Sequence, residues 1–166
     1  MKLKLLLTIL SLCFLSCSEQ NSKPLEFQVE KIAILAIPKD SDLLKYKEAE
    51  LENQDIVVIE NLLRLAVTHY NAKQVEKIPE FQRRHTEIIT AENVTIDFSN
   101  YKRQYVPYIN HNGEKMVWVY CMLDRYAHNL WKSEVLYSAG GGDMFFEITL
   151  NLTTKTTNQI SINGPA

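Results

Sequence analysis

The sequence predicts an α+β domain in which one main helix packs on a curved antiparallel meander sheet. Three observations carry that prediction. Met144, Phe146, Ile148, Leu150 and Leu152 recur at every second position, with Glu147, Thr149 and Asn151 between them. A period of two turns one set of side chains to a core and the other to water, as in a half-buried strand. Ile56, Ile59, Leu63, Ala66, Val67 and Tyr70 instead fall at three- and four-residue steps and share one helix face. The third observation is Lys115–Leu123, whose two faces (Met116, Trp118, Tyr120, Met122 and Val117, Val119, Cys121, Leu123) are both apolar. Such a strand belongs mid-sheet, covered on both sides or lining a pocket.

Taken in order, Phe27–Ile37 reads as a first strand whose alternation breaks at Leu35, followed by a charged segment over Asp40–Glu52. Asn53 or Asp55 is expected to cap the helix, with Glu60, Arg64 and Thr68 off its apolar stripe and Asn71 as a left-handed terminator. Arg83-Arg84-His85 is a small basic cluster on a solvated surface. Val94–Phe98 alternates and reads as a short strand. Tyr101–Ile109 follows, with Tyr101, Arg103, Tyr105, Pro107 and Ile109 on one side. Pro107 lacks a ladder donor and argues for an edge or a bulge. Asn112-Gly113 suits a two-residue hairpin loop between His111 and Glu114. Beyond a loop over Asp124–Lys132, Glu134–Ser138 reads as a further strand. Gly140-Gly141-Gly142 then leads into the alternating run, and a polar turn returns the chain through Ile160 and Ile162. A helix followed by five or six antiparallel strands suits a cystatin-like or nuclear-transport-factor-like architecture.

The first residues stand apart from this domain. Lys2 and Lys4 precede a short apolar run from Leu5 to Leu15, too short for a membrane span, and Leu15-Ser16-Cys17 follows. The pattern resembles a bacterial lipoprotein signal, in which the cysteine thiol receives a diacylglyceryl group and the leader is cut just before it. Cys13 is a poorer acceptor because the bulky Leu12 precedes it. The organisation expected is a signal peptide over 1–16, a lipidated Cys17 and tether over 17–26, and the α+β domain over 27–166. The partner this implies is the membrane, through the lipid anchor, and the location a cell envelope. Of 18 basic and 20 acidic residues the leader removes two lysines and no acid, leaving a net charge of −4. That balance offers no footprint for nucleic acid. Beyond Cys17 only Cys121 remains, too few ligands for a cysteine-based structural metal site.

Catalytic chemistry finds little support. Cys121 with His128 or His111 is the best nucleophile–base combination, with Asp124 nearby in sequence, but Cys121 sits in an apolar strand where an inert thiol is the rule. His69, His85, His111 and His128 have no metal-ligand spacing. Asp143 and Glu147, four apart on one strand face, would stand about 13 Å apart at about 3.3 Å per residue, too far to attack one bond. The three glycines precede a strand rather than a helix, which argues against a phosphate cradle. No metal and no cofactor is called for. Aromatic residues crowd the meander, and Trp118, Tyr120, Trp131 and Tyr105 are the candidate binding surface for a protein or small-molecule partner.

The order Tyr101-Lys-Arg-Gln-Tyr-Val-Pro-Tyr-Ile-Asn110, Gly113-Glu-Lys-Met-Val-Trp118, Trp131-Lys132, Gly141-Gly142, Phe146, Asn151-Leu-Thr-Thr-Lys155 and Asn163-Gly164 resembles an uncharacterised group of small exported or lipid-anchored proteins from the Bacteroidota. The resemblance covers roughly residues 55–166. It implies an Asp-Gly-Gly-Asn-Cys stretch where this chain has Gly140–Met144, so a second cysteine, and any pairing of it with Cys121, is absent here. The group brings no activity with it. The expectation is an envelope lipoprotein that is a non-enzymatic binding or interaction module using its sheet face. The alternative is a small hydrolase-like enzyme with a pocket between helix and sheet.

Overall fold

The computed structural model describes residues 28–138 and 140–164. The signal peptide, Cys17 and the tether therefore lie outside the described residues. The elements in order are β1 (Ile32–Ile34), β2 (Lys47–Glu48), α1 (Asn53–Glu76), α2 (Ile78–Gln82), β3 (Tyr101–Ile109), β4 (Lys115–Leu123), β5 (Phe145–Asn151), β6 (Thr156–Thr157) and β7 (Ser161–Ile162). They form an α+β fold with one main helix and an open, mostly antiparallel sheet. β1 and β2 both pair with one side of β3, β4 and β5 follow, and β6 and β7 both pair with β5.

The sheet is mixed rather than a pure meander, because β1 runs parallel to β3, with Ile32, Ala33 and Ile34 opposite Arg103, Gln104 and Tyr105. Among the described residues of the expected Phe27–Ile37 strand only Ile32–Ile34 are in a strand, and Val29–Lys31 form a 3-10 turn instead. Its inward alternation is Ala33, Leu35 and Ile37, all buried, so Leu35 continues the pattern rather than breaking it. The Leu35 N–H still donates to the Tyr105 carbonyl at 2.9 Å. Pro107 then falls opposite the gap between β1 and β2. Its carbonyl accepts from the Ala49 N–H at 3.4 Å, so the donor it lacks is also on that interrupted side.

β3 and β4 pair along their whole lengths, from Tyr101 opposite Leu123 to Ile109 opposite Lys115. The connection is a three-residue loop, not the two-residue one expected. Gly113 alone takes positive φ (+79°), and its N–H donates to the Asn110 carbonyl at 3.0 Å. The Asn110 side-chain oxygen accepts from the N–H groups of Asn112 and Glu114, which fixes the type I turn and following glycine bulge. β5 follows the period-two prediction, with Phe146, Ile148 and Leu150 buried, although it begins at Phe145. The return strand is split by one extra residue. Thr157 faces Leu150 and Ser161 faces Glu147, four steps against three, which is a β-bulge at the sheet edge.

Each face of the sheet has its own core. On one side Ile59, Leu63 and Val67 of α1 pack on Tyr101, Tyr105, Val117, Val119, Cys121, Phe146, Ile148 and Leu150. α1 begins after Glu52, earlier than Asp55, and the Asp55 carboxylate accepts the Glu52 N–H at 2.9 Å. The same carboxylate meets Lys115 at 2.9 Å, pinning the helix start to the start of β4. The helix runs past Asn71, which is no terminator. Asn71 donates to the Ile96 carbonyl and accepts the Ile96 N–H, at 2.9 and 2.8 Å. That two-way clasp takes the Ile96 backbone groups a strand over Val94–Phe98 would use, and the segment runs without regular structure between 3-10 turns over Ala91–Asn93 and Phe98–Asn100.

The opposite face carries Val106, Tyr108, Tyr120 and Met122 under Ala33, Leu35, Ile37 and Trp131. Its cover has almost no regular structure, and Glu134–Ser138 is not a strand. Fully buried Gln104 does the work of a ladder there. Its Nε2 donates to the carbonyls of Trp131 and Glu134, both at 2.6 Å, and its Oε1 accepts the Leu136 N–H at 3.0 Å. Gln104→Leu keeps the side-chain size but strands all three groups, at about 1–3 kcal/mol for each buried group left unmatched. The expected result is a drop of at least that size in unfolding free energy by urea denaturation. Faster proteolytic cutting within 131–138 should accompany it.

Candidate functional site

Clefts open on both faces of the sheet. The candidate binding residues do not form one surface. Tyr105 is fully buried on the helix side, whereas Trp118, Tyr120 and Trp131 lie on the other. Trp131 is itself buried, and the ammonium groups of Lys102 and Lys132 stand over its ring at 5.0 and 5.4 Å. Tyr120 is buried as well, with its hydroxyl accepting the Ser138 N–H at 3.1 Å. Of the four, Trp118 alone reaches a cleft.

That cleft, of about 520 Å³, is lined by Asp40, Ser41, Asp42, Leu43, Trp118 and Tyr137. Trp118, Tyr120 and Tyr137 form a three-ring cluster, with Trp118 5.8 Å from Tyr120 and 6.0 Å from Tyr137 (29° in each case) and the two tyrosines 6.5 Å apart, and Tyr137 is 60% exposed. Glu147 accepts the Trp118 indole N–H at 3.0 Å, which sets the ring plane from the neighbouring strand. Partial burial, then the nearby Asp40 carboxylate, pushes the Tyr137 phenol above its ordinary range, so the ring keeps its proton beside these acids. Among the described residues Asp40 and Asp42 make no ion pair, and no lysine or arginine lines the cleft. The arrangement is an aromatic cluster edged by two carboxylates without an ion pair among the described residues. Asp40, Asp42 and Tyr137 were not singled out from the sequence, since nothing in their spacing places them beside Trp118.

On the helix side a buried ionic network lies under α1. Glu60 is 1% exposed and Arg103 2%, although Glu60 reads as lying off the apolar stripe. It stands four residues after Ile56, three before Leu63 and seven before Val67, which is a stripe position after all. The Tyr105 hydroxyl donates to Glu60 Oε1, and Arg103 Nε stands 2.9 Å from that oxygen. The Nε–H is not aimed along that line and makes no hydrogen bond, so the contact is ionic only. Arg103 also donates to the Tyr101 carbonyl at 2.9 Å and the Gln28 carbonyl at 3.3 Å, and its guanidinium lies 4.8 Å over the Phe98 ring. Burial, then the Glu60 charge, raises the Tyr105 phenol well above its usual range and holds it as a donor.

The catalytic candidates each have other partners. Cys121 is fully buried, and burial pushes its thiol well above the range at which a thiolate forms. His128 accepts the Leu130 N–H at 3.2 Å, and His111 lies against Tyr46 in the β3–β4 loop. Asp124 pairs with Lys102 at 2.8 Å and Lys31 at 3.6 Å. Asp143 and Glu147 do not share a strand face, because Asp143 lies in a 3-10 turn ahead of β5. Gly141 and Gly142 open that turn with positive φ, at +96° and +57°. Among the described residues no group of three or more His, Cys, Asp or Glu is arranged to hold a metal ion, and no helix is long and apolar enough to cross a membrane.

Fold and clefts define the class as an α+β domain with ligand-sized hollows on both sides of one sheet. Comparison with protein-family models, with curated proteins and with solved structures finds no match to the chain. The Glu60–Arg103 pair gives a direct check on the site. Removing one member of a buried pair leaves the other uncompensated, at about 3–5 kcal/mol, whereas an apolar replacement of both is often neutral. Glu60→Ala is therefore expected to lower the unfolding free energy by about that much, and Glu60→Leu combined with Arg103→Met to recover most of it in urea denaturation.

Proposed function

We propose that this chain is an envelope lipoprotein whose α+β domain is a non-enzymatic binding module, anchored through Cys17 and using the loop-covered face of its sheet. The observation that carries the reading is the aromatic pair Trp118 and Tyr137 beside Asp40 and Asp42, which make no ion pair among the described residues. A cation gains from the faces of Trp and Tyr, by about 0.5–2 kcal/mol depending on desolvation, and pairs with the carboxylates at the rim. The volume of about 520 Å³ falls in the range of small-ligand pockets, so the ligand is a small organic cation carrying an ammonium group. Nothing in the arrangement calls for bond chemistry on that ligand, since no nucleophile and base converge in the cleft.

The anchor is supported by the order of the leader: two lysines, a short apolar run, then Ser16-Cys17. The resemblance of Tyr101–Asn110 and the later motifs to exported Bacteroidota proteins points to the same location. Several acyl chains, at about 0.8 kcal/mol per buried methylene, hold a protein firmly at a bilayer.

Isothermal titration of the full-length protein in detergent with quaternary and primary ammonium compounds tests the ligand class. Binding should weaken about two- to thirtyfold in Trp118→Ala, the range that about 0.5–2 kcal/mol corresponds to. It should also fall with added salt when Asp40 and Asp42 contribute. Equal binding of neutral sugars, or no effect of Trp118→Ala, overturns the cation assignment. For the anchor, Cys17→Ser should abolish incorporation of a labelled fatty acid and shift the protein out of the membrane fraction. Retained label on the variant would refute Cys17 as the acceptor.

A further inference from the structure

Tyr137 forms the exposed wall of the aromatic cleft, yet it lies in chain without regular structure. An exposed ring on such chain samples many positions unless its backbone is fixed from elsewhere. Here the residues on both sides of it are fixed. The Leu136 N–H is received by Gln104 Oε1 at 3.0 Å. The Ser138 N–H donates to the Tyr120 hydroxyl at 3.1 Å, and the Ser138 carbonyl accepts the side-chain amide of Asn163. Chain held one residue before Tyr137 and one residue after it thus presents the ring to Trp118.

Both partners of Ser138 are themselves held. Tyr120 is 2% exposed and rises from β4 in the middle of the sheet. Asn163 follows β7, and its N–H continues the β5–β7 pairing by donating to the Phe145 carbonyl at 3.2 Å. The next residue, Gly164, accepts the Gly142 N–H at 2.9 Å. Neither Asn163 nor Tyr120 lines the cleft. Fixing a ring that stays 60% exposed loses chain entropy and buries little apolar area in return. A ligand that meets an already fixed wall, however, has no ordering left to impose on it.

We propose, on the reading of the aromatic cleft as a cation site, that Asn163 and the Tyr120 hydroxyl are positioning residues for its ligand, setting Tyr137 where a bound ammonium meets both rings. Neither touches the ligand, and each acts through Ser138. Released from them, Tyr137 occupies its binding position for only a fraction of the time, and the apparent affinity falls by that fraction. The loss is bounded by what the Tyr137 ring contributes, so it does not exceed the loss on removing the ring.

Titration calorimetry of the full-length protein in detergent, with tetramethylammonium as the probe, is the test. It compares the wild type with Asn163→Ala, Tyr120→Phe, Tyr137→Ala and the two double variants that include Tyr137→Ala. Tyr120→Phe keeps the ring beside Trp118 and removes only the hydroxyl. The expected result is about three- to tenfold weaker binding in Asn163→Ala and in Tyr120→Phe, and no further loss when either is added to Tyr137→Ala. A ligand-free readout is near-ultraviolet circular dichroism. Asn163→Ala removes no chromophore, so it should change the aromatic signal while the far-ultraviolet helix signal stays that of the wild type. Unchanged binding in either single variant, or an unchanged aromatic signal in Asn163→Ala, overturns the positioning role and leaves the cation site standing. An equal loss in the Tyr137→Ala background does the same, since it marks an effect that does not pass through the ring. Absence of binding by the wild type overturns the cation site itself, and the positioning role with it.

Discussion

The central strand pair β3–β4 is apolar on both faces over most of its length, and the rest of the molecule follows from covering it. A helix answers one face and irregular chain the other. Helix α1 satisfies its own backbone, so its contribution is a stripe of side chains. The segments over 35–46 and 131–138 satisfy few of their own groups and cannot lie against an apolar sheet unless something receives their N–H and C=O groups. Gln104 supplies both signs of hydrogen bond from the sheet itself. Asn71 makes the equivalent clasp on the helix side, holding Ile96 against α1.

Both clefts arise at these junctions between regular and irregular structure. Where sheet packs on helix, side chains interdigitate and leave little room. Where a strand meets chain held at a few points, the chain stands off between them, and polar side chains reach the resulting hollows without losing solvent altogether. Trp118 and Tyr137 meet in this way on one face, and on the other a cleft runs between α1 and the segment Ile96–Ser99. On the loop-covered face the sheet supplies the partly buried Trp118 and the irregular cover supplies the exposed Tyr137.

Much of this was legible from apolar periodicity. The alternation at Phe146, Ile148 and Leu150, the stripe of Ile59, Leu63 and Val67, and the double-faced Lys115–Leu123 all occupy the places their spacing assigns. Periodicity failed where another group took the backbone's hydrogen bonds. Val94–Phe98 alternates like a strand but is held by Asn71, and Glu134–Ser138 is held by Gln104 in the same manner. It failed again for charge. Glu60 occupies a stripe position, but a carboxylate reads as solvent-facing until a buried arginine and tyrosine are known to stand opposite. Those partners lie more than forty residues away in sequence, beyond the reach of any local pattern. The aromatic cleft was half legible: Trp118 could be named, but its stacking on Tyr137 and the nearness of Asp40 depend on how the cover folds back.

Arg103 and Gln104 are adjacent, and this is why the covers of both faces depend on the register of β3. Successive strand residues point to opposite faces, so Arg103 enters the helix side and Gln104 the loop side. A slip of one residue would bury the guanidinium under the loops with no carboxylate and set the amide against Glu60 with no carbonyls to receive. Both errors strand buried polar groups, whereas a slip among Val106, Val117 and Val119 would merely exchange one apolar contact for another. The two polar residues therefore discriminate between registers that the surrounding apolar residues tolerate almost equally. Choice of register and attachment of the helix and loop covers are here one property of the same two side chains.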